Sequence, residues 1–180
     1  MNIFPFKRRL RRQAVANLLY EDLFCILADN IPGFLSEGLV GKSSVDTSKI
    51  KLECFSLIAF LITFSFQREF EYLGQDVNKF ILDCFHVKLF ENVSETSEDE
   101  TFPNLLKTRY GEYYPIMKED LRCLGIKDTI LFGGVTESFF KKIAPEKLRS
   151  EESILFGCQL ADLYSLICKT YDEIKKYKIG

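Results

Sequence analysis

The chain carries a single histidine, His86, three residues after Asp83. On a helix, a carboxylate and a histidine spaced i, i+3 point the same way, as in the dinuclear metal sites of some bundles. Such a site needs two of these pairs and two further carboxylates, so the pair here is incomplete. A Ser–His–Asp or Cys–His relay would have to use the same imidazole. The surrounding segment, VNKFILDCFHVKLFEN, reads as a helix with Val77, Phe80, Ile81, Cys84 and Val87 facing inward. On that wheel Asp83 and His86 lie roughly 100–160° from the core direction. They are expected as a hydrogen-bonded surface pair, and no catalytic residue, metal or cofactor is assigned.

Two other places could carry chemistry. Gln159 and Asp162 sit three apart in the apolar stretch GCQLADLYSL. An acid near a core can act as a base or line a polar cavity. The structural expectation is an edge position or an ion pair, because carboxylates are rarely buried alone. In RYGEYYP (109–115) the hydroxyls of Tyr110 and Tyr113, with a carbonyl freed by Pro115, could line a pocket. Tyr110, Tyr113, Gln159 and Asp162 therefore form the candidate pocket set. GKSS (41–44) resembles the end of a phosphate-binding loop, but the position that needs the first glycine holds Ser36, and no apolar strand precedes it.

The opening MNIFPFKRRLRR is the candidate partner-binding segment, through Lys7, Arg8, Arg9, Arg11 and Arg12. The formal charge is −2 overall and +5 within 7–12, leaving −7 for the rest, a poor basis for general nucleic-acid binding. A protein partner is the favoured expectation, with self-association through the acidic ENVSETSEDE (91–100) another. An anionic membrane or nucleic acid ranks lower. Asn17 and then Glu21-Asp22 interrupt the apolar residues that follow, so the cluster reads as opening a helix rather than a signal peptide. Six cysteines without a C-x-x-C pair look like reduced core residues of a cytoplasmic protein.

Helices must position all of this. From Cys54 to Gln67 there are 14 uncharged residues, fewer than the roughly 20 of a membrane span and bounded by charges on both sides. They predict a central helix, apolar nearly all round, with Leu52, Ser56, Ala59, Thr63 and Phe66 sharing a face open to close approach. The Ser56 and Thr63 hydroxyls are expected to bond the carbonyl four residues back.

A first helix is expected from about Lys7–Arg11 to Asp29, striped by Val15, Leu19, Leu23 and Ile26. A fourth begins near Pro103, striped by Leu106, Tyr110, Tyr113, Met117 and Leu121, with a kink or break at Pro115. A fifth spans 128–145 with a weak point at Gly133-Gly134. A last one starts at Ser150, with Phe156, Leu160, Leu163, Ile167, Tyr171 and Ile174 inward and a second apolar side of Ile154, Cys158, Ala161 and Cys168.

The expected architecture is all-α, one domain over 1–180, a bundle of about six helices in which 50–73 and 150–177 are most enclosed. Residues 1–7 are expected as a mobile arm and 91–101 as an acidic inter-helix loop. The expected function is a non-enzymatic cytoplasmic interaction or regulatory protein. The alternative is a helical binder of an apolar small molecule, a lipid or cofactor, in a Phe/Tyr-lined pocket.

Overall fold

A computed structural model describes residues 8–28, 47–93, 102–122, 132–145 and 151–180. The uncharged run lies within helix α2, Thr47–Glu69. Before it come a two-residue strand β1, Arg9–Leu10, and helix α1, Arg12–Leu18, which continues into π-helical turns over Leu19–Cys25. After it come a short 3-10 turn, Glu71–Leu73, and the helices α3, Gln75–Asn92, α4, Phe102–Arg122, α5, Gly133–Ile143, and α6, Glu151–Ile174. Strand β2, Lys178–Ile179, pairs in parallel with β1, Arg9 opposite Lys178. The chain is an all-α bundle, as its pattern predicts.

Helix α2 is the axis. Every residue from Leu52 to Phe66 is buried except Phe55, which is half-buried. By length and composition α2 could cross a membrane, but 83% of its most apolar window is covered by protein. Helices α4 and α6 pack along it. Ser56 donates to the Leu52 carbonyl at 2.9 Å, and Ser65 to that of Leu61 at 2.5 Å, so both hydroxyls are buried with partners. From α6, the Tyr171 hydroxyl reaches the Ile62 carbonyl at 2.8 Å.

Glu53 is the charged exception in this core, 1% exposed. Arg109 of α4 meets it with two donors, Nε at 2.7 Å and Nη2 at 2.5 Å. The pair extends outward through Glu112, 3.2 Å from Arg109 and 2.7 Å from Lys142 of α5. One chain of charges thus ties three helices together.

Two helices face differently from expectation. In α1 the widened turns over Leu19–Cys25 add residues per turn. Val15, Leu19 and Leu23 keep their inward places, but the face then rotates, putting Phe24 and Leu27 inside and leaving Ile26 50% exposed. The start also differs: Arg8–Leu10 pair with the far end of the chain, and the helix opens only at Arg12.

Helix α3 carries two apolar stripes, and its neighbours chose the other one. Ile81, Leu82, Phe85 and Leu89 are buried, whereas Phe80 is 45% and Val87 53% exposed. Gly74, at φ +83°, turns the chain into this helix from the 3-10 segment.

Helix α4 is not broken at Pro115. The helix runs from Phe102 to Arg122 through the proline. Pro115 and Gly111, whose carbonyl loses its partner, both lie exposed, so water can satisfy that oxygen while Tyr113 and Met117 anchor the opposite side.

The described part of α5 begins at Gly133 rather than near Asp128, which lies outside the described residues. Asp120 of α4 caps it from across the interface, accepting from the backbone N–H groups of Gly134 and Val135. A Cβ at Gly134 would sit 2.7 Å from the Ile116 side chain and 2.9 Å from Asp120, so a larger residue here would push the capping carboxylate and Ile116 aside. Helix α6 buries its expected stripe except Leu163, which is half-buried, but its second apolar side is only partly covered: Ala161 and Cys168 are half-buried and Ile154 and Cys158 exposed, with Leu155 and Leu166 also exposed nearby. It is enclosed on one face only.

Candidate functional site

Thr63 is where α2 departs from local logic. Its hydroxyl does not take the expected partner, the carbonyl of Ala59. It lies 2.9 Å from the Tyr110 hydroxyl of α4 and 3.3 Å from His86 Nε2 of α3. Tyr110 Oη and His86 Nε2 are 2.9 Å apart. Three helices therefore each contribute one polar group to a single cluster against the aromatic core.

The expected Asp83–His86 surface pair is replaced by two separate arrangements. Rotation of α3 turns the imidazole toward α4, while Asp83 pairs with Lys79 in the exposed i, i+4 relation. The His86 ring sits among Phe85, Phe90 and Tyr110, with centroids 5.1, 6.0 and 5.7 Å away.

Hydrogen-bond accounting assigns the protons. His86 bonds the Leu82 carbonyl, and because Nε2 faces the hydroxyls, Nδ1–H makes that bond. The neutral ring then accepts at Nε2. One of the two hydroxyls donates to it, and the other donates within the pair. Both hydroxyl protons are spent internally, so the remaining capacity of the cluster is acceptor only. Burial pushes the Tyr110 phenol well above its ordinary range.

Burial likewise lowers the His86 pKa from the usual 6.5, outweighing the Leu82 carbonyl and the Asp83 charge, which act the other way. The folded protein thus binds this proton less readily than the unfolded chain. The corresponding stability is present above pH 6.5 and is lost as pH falls below it, until the folded-state pKa is passed. Below that starting point, the unfolding free energy of the wild type from urea denaturation should fall more steeply than that of His86→Gln, by up to about 1.4 kcal/mol per pH unit. Parallel slopes would show that His86 is no less charged in the fold than in the unfolded chain.

The cluster floors a cleft of about 570 Å³ lined by Thr63, Gln67, Glu71, Gln75, Asn78, Lys79, Leu82, Asp83, His86, Tyr110 and Tyr114. Its volume falls in the range of small-molecule sites, about 300–1,000 Å³. Tyr114 donates to Gln67 Oε1 at 2.6 Å, and burial holds its phenol up at about 12. Asn78 spends its amide N–H on the Phe70 carbonyl at 2.9 Å, leaving its side-chain oxygen buried without a partner.

Of the candidate pocket set, Tyr110 alone lines this cleft. Tyr113 is fully buried behind it, 5.3 Å from the Phe60 ring, with its hydroxyl unpartnered. On α6, Gln159 is half-buried and Asp162 exposed, and neither lines the cleft. Among the basic residues, Lys7 lies outside the described residues, Arg8, Arg9 and Arg11 are exposed, and Arg12 is half-buried. Thr63, His86 and Tyr114 were missed as site residues. The available signal was a threonine inside an uncharged helix and a lone histidine flanked by phenylalanines.

Comparison with family models, curated proteins and solved structures returned no match. Fold and site define the chain as an all-helical bundle with a polar cleft between α2, α3 and α4.

Proposed function

We propose that this is a non-enzymatic binding protein whose ligand is a small hydrogen-bonding molecule seated in the cleft over Thr63, His86 and Tyr110. The observation that carries the reading is the cluster itself. Thr63 is buried and His86 and Tyr110 are half-buried, so the cluster costs more than an apolar contact would, and here it faces a cavity of ligand size. Binding fits better than catalysis. The His86 Nδ1–H is spent on a backbone carbonyl, the nearby Asp83 is held by Lys79, and the phenol pKa is raised, so nothing primes a nucleophile. The polar lining favours a polar ligand over the lipid suggested by the Phe-rich sequence.

With one histidine in the chain, the His86 ring protons give an isolated reporter in the NMR spectrum. A fragment library should contain compounds that shift this signal saturably in the wild type and more weakly in Tyr110→Phe. A library that binds without moving His86, or does not bind at all, overturns the reading.

A second reading, interaction through the basic residues, is supported by the strand pair. Lys178 N–H donates to the Arg8 carbonyl at 2.9 Å, which brings the exposed Arg8, Arg9 and Arg11 close to Lys178 along the chain. Joint substitution of Arg8, Arg9 and Arg11 by alanine should abolish any salt-sensitive retention on a polyanionic resin; unchanged retention removes this reading.

A further inference from the structure

We infer that the ligand of the cleft is an organic cation rich in N–H donors on a flat body, of the amidinium or guanidinium class. The inference rests on the cleft being a small-molecule site and adds the chemistry of its occupant.

The first argument is the imbalance of hydrogen-bonding capacity. At the floor, Thr63 Oγ1 and Tyr110 Oη have spent their protons on one another and on His86, and retain lone pairs. On the walls, the Tyr114 hydroxyl is likewise committed as donor to Gln67 and retains its lone pairs. The Glu71 carboxylate adds acceptors at the rim, where Asp83 and Lys79 are engaged with each other. Against these stand the amide N–H groups of Gln67 and Gln75, and Lys79, already engaged by Asp83. A ligand that brings donors meets partners throughout, whereas one that brings acceptors leaves the floor unsatisfied.

The second argument is charge and shape. Of the lining residues, Glu71 and Asp83 outnumber Lys79, and Glu71 has no cation partner among the described residues. An anion would be repelled. The rings of Tyr110, Tyr114 and His86 line the same space, and aromatic walls suit a flat cation.

The test uses three probes of nearly identical shape, benzamidinium, benzamide and benzoate, titrated into the purified chain at low salt while the His86 ring signal is followed. Benzamidinium should bind about tenfold or more tightly than benzamide, as expected when donors become charged, and benzoate should leave the signal unmoved. Glu71→Gln should weaken benzamidinium more than benzamide and so narrow the gap between them. Equal binding of benzamide and benzamidinium overturns the cation and leaves the cleft as a neutral-ligand site. Preference for benzoate overturns it as well. If all three leave His86 unmoved the inference falls, and a fragment library equally silent takes the cleft reading with it.

Discussion

Replacing Arg109 by methionine is expected to destabilise the protein by about 3–5 kcal/mol, the cost of leaving a buried carboxylate without its counter-charge. Glu53 is 1% exposed, on the innermost helix, and two nitrogens of one guanidinium satisfy both of its oxygens. Removing the guanidinium leaves the carboxylate a choice between staying charged in an apolar site and taking a proton. Both destabilise the fold. The double variant Glu53→Leu with Arg109→Met should recover most of the loss, because desolvating the pair consumes much of what its attraction returns. Urea denaturation of the two single variants and the double variant measures this directly. A loss below about 1 kcal/mol in Arg109→Met would mean that the pair behaves as a surface contact.

Phe60→Ala should cost a similar amount, about 3–5 kcal/mol, through lost transfer energy and an unfilled cavity. The ring is fully buried, with Phe64, Tyr110, Tyr113 and Tyr114 at centroid distances of 5.3–5.9 Å. No single neighbour can close that space without breaking its other contacts. Two of those neighbours are the tyrosine walls of the cleft, so the same variant should shift the His86 signal although Phe60 itself does not line the cleft. Phe60→Leu, which keeps most of the volume, should restore over half of the stability. Loss of stability with an unchanged His86 environment would show that packing beneath the cleft does not set its geometry.

The charge pattern made the axis of the fold legible. Fourteen uncharged residues bounded by charges on both sides favoured a buried helix over a membrane span, and α2 is mostly covered by protein. The stripe of α4 was legible because it had one dominant apolar side; α6 offered two, and the longer one is inward. Helix α3 was not legible, because it carries two such sides, and the choice between them lies in α1, α2 and α4 rather than in its own residues. That single ambiguity hid the site: with Phe80 and Val87 taken as core, His86 faced solvent. Thr63 was hidden differently. A hydroxyl in a helix always has a local carbonyl available, so nothing in its sequence neighbourhood shows that it reaches across to Tyr110. The widened turns at Leu19–Cys25 also leave no compositional trace, and the register of Ile26 and Leu27 changes with them.

Asp120 gives two helices a common joint. Helix α5 has no capping side chain of its own at Gly133, and its first amides are satisfied by a carboxylate near the far end of α4. A short helix of 11 residues is marginal alone, so α5 is held in order by a neighbour rather than by its own sequence. Any event that frays the last turn of α4 withdraws that carboxylate and releases α5, passing a disturbance at one terminus on to the beginning of the next element.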